Sequence, residues 1–301
     1  MNNMTNYLRR FFNGRHLVIG IPYLWFLMLA LVPLFIVLKI SVSEMESTSV
    51  SNMVSWSQGW PSIKLNFASY VFIGSDELYV KAYLSSLNYA LLTTVICLVI
   101  GYPFAYFMAR SPKHLQPMLL MLIMLPFWTS FLLRIYAWKT LLVSNGVINN
   151  VLMSLGIIKL PLEMMNTPFS LMVGMVYSYL PFMILPLYAN LSKLDMRYLE
   201  AAADLGTSPL KAFWLITVPL SKAGIIAGAM LVFIPAVGEY VIPELLGGPN
   251  TLMIGRVLWD EFFSNNDWPM ASAVAVVMIL LIMLPMAIYN KYQSEQLEPK
   301  P

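Results

Sequence analysis

The stretch Met164–Ser192, MMNTPFSLMVGMVYSYLPFMILPLYANLS, runs for 29 residues without a charged side chain or a histidine. About 20 mainly apolar residues cross the hydrocarbon core of a bilayer as a helix, the form in which a segment pairs all its own backbone N–H and C=O groups. The run therefore reads as a membrane span, and the same count extends outward in both directions. Leu17–Leu38 supplies 22 such residues, Ala82–Ala109 supplies 28, Leu115–Leu133 supplies 19 and Trp268–Asn290 supplies 23. Ala223–Gly238 supplies only 16. At about 1.5 Å per residue it falls short of a core of about 30 Å unless it continues through Glu239. The expected fold is an all-α membrane protein of six transmembrane helices.

Composition agrees. Of 301 residues, 59% are apolar and 11% charged, where soluble domains carry about a quarter charged residues. A soluble globular domain and a disordered chain are both excluded. Cys97 is the only cysteine, so there is no intrachain disulfide framework. The net charge of +3 is small and the basic residues are scattered, which gives no footprint for nucleic acid. Lys and Arg sort by side: with the N-terminus inside, the inner segments hold 11 bases against five acids and the outer ones seven against ten. Both termini are then expected in the cytoplasm, with the chain crossing the membrane repeatedly. Arg9, Arg10 and Arg15 precede the first apolar run, but its 22 residues exceed a signal-peptide core and no small-x-small cleavage site follows.

The expected organisation is a cytoplasmic segment at 1–16, a transmembrane domain at 17–290 and a cytoplasmic tail at 291–301. The spans are placed at about 17–39, 82–109, 115–138, 167–191, 218–243 and 268–290, with a cytoplasmic loop at 193–219. The outer loop from Ile40 to Lys81, with Trp56, Trp60, Phe67 and Tyr70, is large enough to fold against something. Between Lys139 and Glu163, Val147, Ile148, Val151, Leu152 and Leu155 fall on one face of a short amphipathic helix, suited to the membrane surface or a partner. Prolines recur inside the spans, at Pro22, Pro33, Pro103, Pro126, Pro181, Pro186, Pro235 and Pro285. Each removes a backbone hydrogen bond that lipid cannot replace, which suits kinked helices around a cavity, although proline is in any case commoner in membrane helices than in soluble ones.

No catalytic signature is present: no G-x-x-x-x-G-K-[ST], no H-E-x-x-H and no G-x-S-x-G. His16 and His114, the two histidines, have no cluster of ligands around them, so no metal site is expected. The 22 methionines read as packing residues. The informative stretch is Glu200-Ala201-Ala202-Ala203-Asp204-Leu205-Gly206, followed after nine residues by Ile216 and then by Pro219. Alanines give a smooth helix face, Gly206 suits a C-terminal cap at positive φ, and Ser208-Pro209 restarts a helix as N-cap and first residue. The result is a folded helix–turn–helix that can seat in a groove of a soluble partner, with Glu200 free to pair with an arginine there.

E-A-A, three residues, Gly, nine residues, Ile, two residues, Pro resembles the coupling motif of permease subunits of binding-protein-dependent ATP-driven importers, at every fixed position and in the expected loop. That resemblance implies the type I ABC importer (MetI-like) architecture, with Glu200, Ala201, Ala202, Gly206, Ile216 and Pro219 seated on a separate ATPase. Further stretches, Pro126–Trp138, Tyr198–Gly206 and Phe233–Pro249, are similar to the permeases of polyamine importers, the putrescine type nearest, over about residues 17–290. The resemblance implies a second homologous permease, two ATPase subunits that bind the ATP and Mg, a periplasmic polyamine-binding protein, and no cofactor in this chain.

An acid inside a span is by default a candidate functional group. Glu239 is placed toward the outer end of the fifth span, and its partner is either a substrate ammonium or Arg134 at the outer end of the third. The same two residues also fit a plain buried salt bridge or interfacial anchors. Trp128, Tyr177, Tyr179 and Tyr240 can hold alkylammonium groups by cation–π contact or form an interfacial belt. Glu244, Asp260, Glu261 and Asp267 form an outer acidic surface that steers a cation, contacts the binding protein or is simply solvated. Three other readings differ in kind: a permease for another cationic or small organic solute, a proton-coupled transporter acting alone, and a scaffold anchoring a soluble complex. A proton relay needs a titratable group in mid-span, and Glu239 is expected at a span end.

Overall fold

The computed structural model describes residues 14–46, 49–51, 54–57 and 60–297, with side chains described for 18–46, 49–51 and 64–287. Most of the expected terminal segments 1–16 and 291–301, and the side chains of His16, Trp56 and Trp60, lie outside the described residues. Among the described residues four helices are long and apolar enough to cross a membrane, Val18–Ser41, Glu77–Arg110, Pro168–Leu191 and Trp268–Ala287. With each of two sharply bent helix pairs counted as one span, the number reaches six.

The chain divides into two compact units. One comprises residues up to 75 together with 261–283. Its first span, Gly14–Ser41, leads into the long loop, which folds on itself. Met45–Glu46 pairs antiparallel with Ser49–Val50, and Val54–Ser57 with Trp60–Ile63. Asn66 Nδ2–H donates to Glu44 Oε1 at 2.9 Å, and the Tyr70 hydroxyl donates to Ser41 Oγ at 2.7 Å, tying the helix Ala68–Ser75 to the end of the span.

The second unit, residues 76–260 with 284 onward, holds the second to fifth spans. Its core is three helices, Glu77–Arg110, Pro168–Leu191 and Lys222–Val237, which pack on one another along their lengths. Small residues set the spacing, as expected where helices meet in lipid. A β-carbon at Gly228 would lie 2.7 Å from Met183 Sδ and 3.1 Å from the Met183 carbonyl oxygen, and one at Gly224 would lie 2.8 Å from Asn190 Cβ. Leu171, Met175, Met183, Leu187 and Leu191 are buried along the fourth span.

Three of the expected span boundaries change. The second span begins at Glu77, not near 82, because Asp76 Oδ1 caps it by accepting the Leu78 N–H at 2.7 Å, and Glu77 and Lys81 pair with each other at 2.7 Å on its exposed side. The third is not one helix over 115–138. Gln116–Trp128 and Phe131–Ser154 meet at 86°, after a 3₁₀ turn Leu125–Trp128 that Pro126 opens and extended backbone at Thr129 closes. The fifth does not run on through Glu239: Lys222–Val237 stops at Gly238, and a six-residue helix Val241–Leu246 resumes after the break. The amphipathic segment forms the helix Val147–Ser154, with Val147, Val151 and Leu155 exposed. Asn149 clasps the returning chain by exchanging two 2.9 Å hydrogen bonds with the backbone of Leu162.

Candidate functional site

The loop between the fourth and fifth spans is a closed turn. At its entry Asp195 accepts the Arg197 side-chain Nε–H at 2.9 Å and its backbone N–H at 3.0 Å. The guanidinium holds the Asp195 carboxyl below the ordinary carboxylate range, with the backbone bond adding to it. The helix Arg197–Asp204 follows, with Ala202 buried and Glu200, Ala201 and Ala203 exposed. It ends with Gly206 N–H donating to Ala203 O at 2.8 Å and Thr207 N–H to Ala202 O at 2.9 Å, the reciprocal pair of a Schellman cap. Gly206 sits at φ 77°, and a β-carbon there would meet nothing within 4 Å, so the backbone alone demands the glycine. Ser208 has the extended backbone of an N-cap before Pro209–Ala212, but its hydroxyl makes no capping bond; the restart rests on the proline at the first position.

Phe213 opens a π-helical segment, Phe213–Thr217, which contains Ile216 and leads into Val218–Leu220 with Pro219 exposed. Such segments often sit at functional positions. The Phe213 ring lies edge-on against Tyr102 at 5.5 Å and Tyr106 at 5.6 Å, both on the second span. Tyr102 and Ser221 share a 2.8 Å hydrogen bond between their hydroxyls, a second tie between the same elements. A cavity of about 330 Å³ lies under the turn, lined by Glu200, Ala203, Thr207, Pro209, Phe213 and Tyr106 among others. Leu205 is 86% exposed and Leu210 70%, an apolar edge on the turn.

The break in the fifth span is the second feature. Tyr179 lies midway along Pro168–Leu191, and its hydroxyl donates to Glu239 Oε2 at 2.6 Å. Glu239, two residues past the end of Lys222–Val237, is thus level with the middle of Pro168–Leu191. Its Oε1 accepts the N–H of Val241 at 3.0 Å and of Ile242 at 3.4 Å, satisfying the open donors of the next short helix. Beyond Leu246, whose carbonyl accepts the buried Ser170 hydroxyl at 2.6 Å, the chain turns at Gly247–Gly248 and comes back. Ile254 N–H donates to Ser86 Oγ at 2.7 Å, and a β-carbon on Gly255 would fall 2.6 Å from the Glu239 carbonyl oxygen, so Ile254–Trp259 packs directly on the break. Tyr240 stacks on Trp259 at 4.4 Å and 9°. A discontinuous helix whose break lies inside a bundle is a geometry that many secondary transporters use to bind solutes.

Of the two partners expected for Glu239, a substrate ammonium or Arg134, the second is corrected. Arg134 does not pair with it; its guanidinium lies over the Phe127 ring at 4.6 Å, with buried Nε and Nη1 making no hydrogen bond. The two breaks are nevertheless connected, since Phe127 meets Phe182 edge-on at 5.3 Å and Phe182 lies 6.3 Å from Tyr179. Tyr177 packs on Trp138 at 5.5 Å, and Trp128 is 74% exposed at the end of the 3₁₀ turn. The outer acids are not a free negative surface. Arg256 pairs with Glu244 at 2.7 Å and reaches Asp260 at 4.0 Å, Glu261 accepts from Asn265 at 2.9 Å, and Asp267 caps Met270 N–H at 3.0 Å. Among the described residues no group of three or more His, Cys, Asp or Glu side chains is placed to hold a metal.

Sequence reasoning missed Phe182, Ser86, Ser170 and Trp259 as partners of the break, and Phe213 as the link to the second span. Only the Arg256–Asp260 contact carried a readable signal, the four-residue spacing on one helix.

The family of binding-protein-dependent transport system inner membrane components matches residues 98–296. The chain is 44% identical over 214 residues to the spermidine/putrescine transport system permease protein PotB of Escherichia coli K12, covering 71% of this chain and 78% of the relative. To the protein of that name from Haemophilus influenzae it is 36% identical over 285 residues, 94% of this chain and 96% of the relative. It is similar in fold to a bacterial ABC transporter chain involved in import of the acidic polysaccharide alginate, with a TM-score of 0.68, 15% identity and coverage of 98% and 99%. A second such structure, in complex with an alginate pentasaccharide-bound periplasmic protein, aligns with a TM-score of 0.70 at 15% identity over 97% of both chains.

Proposed function

The chain belongs to the family of binding-protein-dependent transport system inner membrane components, and on that premise we propose that it forms half of the translocation pathway of an ATP-driven polyamine importer. It is a multi-pass membrane permease subunit rather than an enzyme. The observation that carries the substrate class is 36% identity across 94% of the chain to a relative named for spermidine and putrescine transport. The carboxylate at the break in the fifth span suits a cationic solute.

In this reading the other half is a homologous permease, two separate ATPase subunits hold ATP and Mg, a periplasmic binding protein delivers putrescine or spermidine, and both termini lie in the cytoplasm. Glu200, Ala201, Ala202, Gly206, Ile216 and Pro219 form the element that seats on the ATPase. Closure of the ATPase dimer moves that turn, and Phe213 passes the displacement to Tyr102 and Tyr106 on the second span, opening the pathway outward; hydrolysis resets it. ATP must bind the closed state preferentially, because a ligand with equal affinity for both states shifts nothing. Trp128, Arg134, Tyr177, Tyr179, Glu239 and Tyr240 line the route of the cation.

The test is uptake of radiolabelled putrescine and spermidine by cells expressing this chain with its genomic neighbours, wild type against Glu239→Gln. Excess polyamine should compete and a neutral sugar should not. Glu239→Gln should lower diamine uptake more than it lowers the amount of assembled complex. Competition by the sugar, or uptake kinetics unchanged by the substitution, contradicts the assignment.

A further inference from the structure

Glu239 divides its two oxygens between unlike tasks. Oε1 is held by two backbone N–H groups of the helix it caps, a bond set built into the turn. Oε2 accepts from the Tyr179 hydroxyl at 2.6 Å, a donor on a different span and the partner the structure gives that oxygen. A carboxylate oxygen away from water needs a donor, and leaving it unpaired is costly. A phenol hydroxyl supplies one hydrogen bond and no charge, whereas a primary ammonium supplies three donors and a full charge. Glu239 is half-buried, while Tyr179 is 7% exposed and has the Phe182 ring 6.3 Å from its own.

We propose that the Tyr179 hydroxyl is a place-holder on Glu239: it satisfies Oε2 while the pathway is empty and is displaced by a primary ammonium of the substrate as it passes. This rests on the polyamine reading above and adds to it the residue that the substrate must outcompete. The consequence is counter-intuitive for a residue in a binding route. Removing the hydroxyl while keeping the ring, as in Tyr179→Phe, removes the protein's own competitor and leaves an acceptor that an ammonium satisfies with charge as well as a hydrogen bond, where water offers a hydrogen bond alone. Hydrogen bonds to charged groups are worth enough that the expected gain in substrate affinity is about tenfold.

The experiment measures binding of radiolabelled putrescine to the purified complex of permeases and ATPase, without the binding protein, alongside ATP-driven uptake by the full wild-type system. The expected result is a half-saturating putrescine concentration about tenfold lower for Tyr179→Phe than for wild type, and no saturable binding for Glu239→Gln. A purely structural bond predicts the opposite: a less stable complex with affinity unchanged or weakened, and that result overturns the place-holder role. Should Tyr179→Phe fail to assemble, difference infrared spectra of the wild-type complex with ring-labelled tyrosine serve instead. Putrescine is expected to shift a tyrosine C–O band away from its carboxylate-bound position, and the absence of any tyrosine change overturns the proposal. Wild-type uptake separates the two levels: no polyamine uptake contradicts the polyamine reading itself, whereas normal uptake with unshifted affinity contradicts only the place-holder.

Discussion

Replacing Gly206 by valine tests whether the closed turn is what carries force between this chain and its ATPase. Gly206 stands at φ 77° with no atom within 4 Å of where a β-carbon would go, so the penalty is conformational and not a clash. An L-residue with a β-carbon in the left-handed region costs about 1–2 kcal/mol, and β-branching adds to it. What is lost is the population of the capped turn, with its bonds from Gly206 to Ala203 O and from Thr207 to Ala202 O. A loss of 1–2 kcal/mol corresponds to about a 5- to 30-fold change in the ratio of capped to uncapped turn. The assay is ATP-dependent uptake normalised to the amount of chain in the membrane, with co-purification of the ATPase as the second readout. Gly206→Val should lower both, by up to about 5- to 30-fold, with membrane insertion intact, whereas Gly206→Asn, whose side chain tolerates the left-handed region, should retain most activity. Equal activity of the valine variant and wild type would refute the coupling role, and an asparagine variant as poor as the valine one would refute the conformational explanation.

Gly228→Leu should destabilise the complex by about 1–3 kcal/mol, read as a lower unfolding temperature and poorer recovery on size exclusion, because the Met183 carbonyl 3.1 Å from the new β-carbon cannot yield. Arg256→Ala and Glu244→Ala should show a coupling of only about 0.2–1 kcal/mol in a double-mutant cycle of thermal stability, since the Glu244 side chain is half exposed and solvent screens the pair. Asp195 has a carboxyl depressed by Arg197, so its tether is present above the ordinary carboxylate range and is lost as pH falls through the lowered folded value. The Arg197 Nε–H resonance should therefore stay fixed between about pH 6 and 8 and move only below about pH 4.

Uncharged length made the spans legible: Met164–Ser192 and Trp268–Asn290 can hardly be anything else, and the helices Pro168–Leu191 and Trp268–Ala287 lie inside them. The breaks were harder to read. Pro126 stands one turn before the 86° bend, yet Pro103, Pro181 and Pro186 sit within continuous helices, so proline alone does not mark where a span gives way. The turn at Glu200–Pro219 was readable because each of its devices is local: the alanines, the glycine at positive φ and the proline restart all act within a few residues. The site around Glu239 is the reverse. Its hydroxyl donor lies 60 residues away, and Gly255, Ser86 and Ser170 meet the broken helix only because three spans pack around it. Nothing in spacing distinguishes Tyr179 from Tyr177, two residues earlier, which packs on Trp138 instead. The extended pairing at Met45–Glu46 and Val54–Ser57 was likewise hidden, in strands too short for a period-two pattern.

The central claim is that this chain moves a polyamine only when a separate ATPase drives it. The direct measurement is uptake of radiolabelled putrescine into proteoliposomes holding this chain, its partner permease and the ATPase, supplied with loaded binding protein, against the same vesicles lacking the ATPase. The account predicts ATP-dependent uptake that vanishes when the ATPase is omitted. Uptake that persists without it and follows an imposed proton gradient would contradict the account and make Glu239 the first candidate for a proton carrier.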